Sequence, residues 1–169
     1  MFVRATRVFG AILACAALCA PPAAATTMPE RGPDEVAAAS ELVVEGTVLD
    51  ARVQVVGGRI VTQHTVRVEH MVRAATHVDP PLTVSVVLPG GAIGGIGQRV
   101  AGTPELQVGS RYVLCLSAPV VLGARTIVGL WQGVWKVGAN DALTPFTHGG
   151  PSTTVTTRAA VLSALGGAP

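Results

Sequence analysis

Residues 82–116 read LTVSVVLPGGAIGGIGQRVAGTPELQVGSRYVLCL, and the fold turns on how this stretch is parsed. Leu82 to Leu88 is a β-branched, apolar run of the kind that suits a pleated, half-buried surface. It breaks at Pro89-Gly90-Gly91 and resumes at Tyr112 to Leu116. Between the two runs lie Gly90, Gly91, Gly94, Gly95, Gly97 and Gly102, where the backbone can take positive φ or approach another surface closely. The pattern predicts two strands joined by an elaborate glycine-rich loop.

The loop is not a phosphate cradle. Such cradles need GxxxxGK[ST], or GxGxxG opening a helix, because the anion rests on free N–H groups at a helix N-terminus. Here Gly95-Ile96-Gly97 runs into Gln98-Arg99-Val100, Pro104 follows soon after, and the loop has no lysine. Ile93 and Ile96 therefore have two readings. They fold back to cap a β core, or with Arg99 they form a partner-binding ridge on a rigid scaffold.

Upstream, Leu42 to Val56 reads as a long strand in which Gly46 marks a bulge or bend. Gly57-Gly58 is a hairpin signal, since two residues at positive φ match the twist of the flanking strands. The return strand, Arg59 to Arg73, alternates: Ile60, Thr62, His64, Val66, Val68, His70 and Val72 fall on one face, and Gln63, Thr65, Arg67, Glu69 and Arg73 on the other. Met71 breaks that pattern unless the strand bulges near His70. His64 and His70 are about 20 Å apart along an ideal strand, too far to share a metal. Pro33 to Ser40 predicts a short helix, with Pro33, Asp34 and Glu35 in its first turn.

Downstream, a turn is expected at Ser117 to Pro119, then short strands at Val120 to Leu122, Thr126 to Leu130 and Val134 to Val137. Trp131 and Trp135 share parity if one strand runs through both. Core packing suits them because few other aromatics are present, and the other reading is an exposed platform in which Trp131 contacts a partner. Leu143 to Pro151 reads as irregular, Thr153 to Thr157 as an edge strand, and Arg158 to Leu165 as a helix ended by Gly166-Gly167.

Met1 to Ala25 carries the parts of a secretory signal: Arg4 and Arg7, an apolar run from Val8 to Ala20, and Ala23-Ala24-Ala25 before the cut. Export to the periplasm, cell surface or medium is expected, with no stable membrane span after cleavage. The expected organisation is signal 1–25, flexible leader 26–32 and one domain at 33–169. The chain has 12 Lys and Arg against 10 Asp and Glu. Arg4 and Arg7 leave with the signal, so the exported chain is neutral, and no basic patch with interleaved aromatics speaks for nucleic acid. Cys115 alone remains after cleavage, which excludes an internal disulfide, and its place between Leu114 and Leu116 suits a buried, inert thiol.

The order of elements predicts an all-β fold, a small OB-like Greek-key barrel with a short N-terminal and a C-terminal helix. The segment ASELVVEGTVLDARV…TQHTVRVEHMVRA…LTVSVV resembles the start of netrin-like or TIMP-like OB-fold domains. TIMP-like inhibitors use an N-terminal cysteine and several disulfides, which the exported chain lacks, so their mechanism does not carry over. Pro89-Gly90-Gly91, Gly94-Gly95, Gly102, Pro104, Gly109, Val113-Leu114, Leu116, Val128-Gly129 and Gln132-Gly133 resemble a group of uncharacterised secreted bacterial proteins, a likeness that implies no activity. GxSxG, HExxH and CxxC are absent, and Ser110, Asp141 and His148 fall in no catalytic frame. The expectation is a non-enzymatic exported binding module for a protein, peptide or glycan, without cofactor or metal, acting through Ile93, Ile96, Arg99 and Trp131. A structural envelope component is the alternative, and a hydrolase a third reading.

Overall fold

The computed structural model describes residues 29–76, 79–121, 123–152, 154 and 156–166. The predicted signal, most of the leader and part of the expected strand at 153–157 lie outside the described residues; of that strand, Thr156 bridges Leu143.

The chain is mostly strand, with a helix near each end of the described fold. Helix α1 (Pro33–Ala38) is followed by β1 (Leu42–Val56), β2 (Arg59–Ala74) and β3 (Thr83–Pro89). A small ribbon, β4 (Gly91–Ile93) and β5 (Ile96–Gln98), precedes β6 (Arg111–Val121) and β7 (Ala124–Ile127). A 3-10 turn at Leu130–Gly133 leads to β8 (Val134–Val137), β9 (Leu143–Thr147), β10 (Gly150–Pro151) and α2 (Arg158–Ala164). The main sheet runs β1-β2-β3-β7-β6-β8-β9-β10, and β1 pairs with β6 as well. Neighbours are antiparallel except β3 and β7, which meet in parallel at Val86 and Arg125.

The first five residues of β1, Leu42 to Gly46, and Tyr112 to Leu116 of β6 are buried on both faces, which suits the apolar runs Leu42 to Val44 and Tyr112 to Leu116. Leu42, Val44, Val48, Tyr112, Leu114 and Leu116 pack with β2 and β3 in one cluster. Val43, Val113 and Cys115 turn the other way, against Val36 of α1 and Val161, Leu162 and Leu165 at the C-terminal end. Burial pushes the Cys115 thiol up to about 12, so it is a packing group rather than a nucleophile. Helix α1 keeps its acids in the first turn, and at its other end Arg73 donates to the Ala37 carbonyl while Ser40 Oγ donates to Val36 O at 2.7 Å.

Gly46 is required by contact: a Cβ there would collide with the Arg67 carbonyl oxygen of β2. The pairing of β1 with β2 shifts register at Val43/Val44, Glu45/Gly46 and Val48/Asp50, which leaves Val72, Glu69 and Leu49 without opposite residues. The bulges in β2 flip its parity, so Val68 and Met71 pack on one cluster. This is the break that Met71 implied.

Three expectations are corrected. Strand β6 does not stop at Leu116 but runs to Val121, passing Pro119 through register shifts that make room for a residue without an N–H. Leu143 to Pro151 is not irregular: β9 pairs with β8, and β10 with β9, in a region near the sheet edge that tolerates Pro145 and Pro151. Trp131 and Trp135 share no strand. Trp131 lies in the 3-10 turn against the first cluster, while Trp135 is buried in the second.

Candidate functional site

The site is built from the loop that connects β3 to β6. Its first part is the β4–β5 ribbon, in which Ile93 and Ile96 are direct cross-strand partners beside the Gly94-Gly95 turn. The ribbon is rooted on β2. Gly90 N donates to Ile60 O at 2.9 Å, Ile60 N donates to Gln98 Oε1 at 3.1 Å, and Thr62 Oγ1 donates to Gly90 O at 2.8 Å. Cross-strand partners share a face, so the two isoleucines stand together. They remain 40 % and 67 % exposed, so they do not cap the core. That place belongs to Leu106, further along the loop, which is buried in the first cluster. A three-residue ribbon is too short to fold its tip back over a core already filled by Leu106.

The second part, Arg99 to Gln107, lies across the end of the sheet and is pinned at Gln107. Its backbone N–H donates to Tyr112 Oη at 3.0 Å, and its side-chain oxygen accepts from Lys136 Nζ at 3.0 Å. Beyond it, Val48 N donates to Ser110 O and Gly109 N to Val48 O, tying the loop to the bulge of β1. Beneath the loop His64 is buried, 4 % exposed, and its Nδ1 has no hydrogen-bond partner among the described residues. Thr103 Oγ1 is also buried without one. Burial holds the His64 imidazole below its usual value, so the ring is neutral near pH 7.

Clefts flank the loop. One, of about 510 Å³, lies between Arg99–Gln107 and the β9–β10 turn, with Tyr112, Lys136 and Phe146 among its lining. A second, of about 500 Å³, runs past His64 toward the ribbon. A third, of about 460 Å³, is lined by Trp131, Gln132 and Trp135 and shares His148 with the first. Here the Gln132 amide accepts from Arg31 N at 2.6 Å and donates to Pro29 O at 3.2 Å, gripping the backbone just before α1.

Of the residues singled out in the sequence, Ile93 and Ile96 come together at the ribbon tip, and Arg99 follows at its base on the first cleft. Trp131 sits across the loop, under Gly102 and edge-on to His148 with ring centroids 5.2 Å apart, and lines the third cleft instead. Ser110, Asp141 and His148 do not form a catalytic group: Asp141 is ion-paired with Arg111, and His148 packs on Trp131. Among the described residues no three His, Cys, Asp or Glu are grouped to hold a metal. Sequence reasoning missed Tyr112, Gln107 and Lys136. Their only signal was parity, because Tyr112 and Lys136 share a face only once β6 and β8 are known to pair.

Comparison with known proteins finds no matching family model, no matching curated protein and no matching solved structure.

Proposed function

We propose that this chain is an exported, non-enzymatic binding module that holds a protein or peptide against the β4–β5 ribbon and the loop behind it. The observation that carries the reading is the Ile93–Ile96 pair, two large apolar side chains left in solvent on a short ribbon whose root is fixed by hydrogen bonds to β2. Exposing such a pair costs about 1.5–3 kcal/mol per side chain relative to burial, a loss that a partner covering them would recover. Arg99 and Trp131 border the same loop and extend the contact surface. The ring of pairings β1–β2–β3–β7–β6–β1 supports the reading of the scaffold as a small OB-like barrel, with the loop at one end. The signal-like segment Met1 to Ala25 supports export.

The test is Ile93→Asp, compared with the unaltered protein for retention of components of the native envelope and medium and for thermal stability. The expected result is loss of a specific retained protein with an unchanged melting temperature. Unchanged retention, or unfolding of the variant, would remove the ribbon from the function.

A further inference from the structure

The charge pattern of the first cleft singles it out. Arg52, Arg67, Arg111 and Arg158 are each ion-paired with a carboxylate. Arg31, Arg59, Arg73, Arg99, Arg125 and Lys136 are paired with none among the described residues, and of these Arg99 and Lys136 together line this cleft. Glu105 lies on the same lining, exposed, and bridges to neither. The cleft therefore carries more positive than negative side-chain charge in a chain whose exported part is neutral.

Its floor supplies a further donor. Tyr112 is 99 % buried, being 1 % exposed, and its oxygen already accepts the Gln107 N–H, so the phenolic proton is left to donate. Lys136 has three N–H donors, of which Gln107 takes one. Beside these donors the Phe146 ring lies 6.1 Å from that of Tyr112, centroid to centroid, and Pro104 and Val100 continue the apolar lining. Tyr112 and Lys136, which share the Gln107 anchor, and Arg99 on the same lining give a cleft of about 510 Å³ with an aromatic floor that suits a small ligand anionic at one end and apolar next to it.

We infer that the cleft binds the free C-terminal carboxylate of an extended peptide, with the carboxylate against Lys136, Arg99 and the Tyr112 hydroxyl and the last apolar side chain over Phe146. The inference rests on the peptide-binding reading above and names the end of the peptide that is recognised. A terminal carboxylate is bonded to the same Cα as the last side chain and so sets an anion directly beside an apolar group, which the carboxylate of an internal Glu does not.

The experiment is a calorimetric titration of the full exported chain with three N-acetylated tripeptides, Ala-Leu-Val as the free acid, the same sequence as its C-terminal amide, and Glu-Leu-Val as the amide. The free acid is expected to bind at least about tenfold more tightly than either amide. Arg99→Gln, at an exposed position, and Lys136→Met are each expected to weaken the free acid about tenfold and to leave the amides unaffected. Absence of saturable binding by the free acid, equal binding of acid and amide, or indifference to both substitutions would overturn the inference. Binding of the Glu-Leu-Val amide as tightly as the acid would overturn the assignment to a chain terminus. Retention by Ile93→Asp is measured separately, so the carboxylate site fails when the free acid does not bind although Ile93 is needed for retention, and the ribbon fails when Ile93→Asp retains the partner although the free acid binds.

Discussion

Arg158, the first residue of α2, reaches across 113 positions of sequence to place both Nε and Nη2 on one oxygen of Glu45, at 3.0 and 2.7 Å. The Glu45 side chain is 1 % exposed, and Arg111 approaches its other oxygen at 3.4 Å. A buried carboxylate held by two guanidinium groups fastens β1, β6 and α2 together. Removing the acid alone leaves the arginines facing a low-dielectric site. Glu45→Ala is therefore expected to lower stability by about 3–5 kcal/mol, and Arg158→Ala by less because Arg111 remains. Urea melts of both single variants and the double variant check this, with a coupling above about 1 kcal/mol expected.

The His64 ring gives the domain an acid-sensitive point. Its folded-state value lies below 6.5, with burial as the main cause, while in the unfolded chain it titrates near the ordinary value. The unfolded state thus binds the proton first as pH falls. The contribution is complete above about pH 6.5 and is lost as pH drops below it toward the folded value. Denaturant midpoints at pH 7.5 and 5.5 are expected to fall in that order, and His64→Gln to flatten the difference. An unaltered slope in the variant would assign the pH dependence elsewhere.

Gly102 and Gly97 offer a matched pair. Gly102 has φ of 79°, and a Cβ there would lie 2.6 Å from the Trp131 ring. Gly97 has open space around it. Gly102→Ala is expected to cost about 1–3 kcal/mol from backbone strain alone and to shift tryptophan fluorescence as the ring moves. Gly97→Ala is expected to change stability by less than about 0.5 kcal/mol.

The two tryptophans should separate on truncation. Trp135→Ala opens a cavity among Val113, Val137 and the C-terminal helix cluster, and is expected to cost about 3–5 kcal/mol. Trp131 is half-buried and gives up its edge contact to His148 as well as part of its packing, so Trp131→Ala is expected to cost about 2 kcal/mol. Thermal melts of the two variants test the order.

The strands were legible wherever local pattern and tertiary demand agreed. Leu42 to Val56 and Val134 to Val137 were read at their observed bounds, and the Gly57-Gly58 turn falls where its dipeptide predicted, with φ of 57° and 77°. Reading failed where breaker residues sit in strands whose pairing tolerates them, as with Pro119 in β6 and Pro145 in β9. At Ile93 and Ile96 it left two readings open, because nothing local says whether a pair of isoleucines in a glycine loop is covered. Leu106, thirteen residues beyond Ile93, takes the core position that one of those readings gave to the pair.

By itself the sequence determined what depends on neighbours along the chain. That includes the β class, the two short helices, the central hairpin and its bulges, since alternation, glycine pairs and a helix's first turn act over a few residues. Only the tertiary structure decided what depends on distant residues meeting. It brought Lys136 beside Gln107 and Arg158 onto Glu45, and it placed Arg99 and Lys136 on one cleft. The physical reason is that burial and charge pairing are properties of packed surfaces, and no period within one segment encodes which surface it will meet.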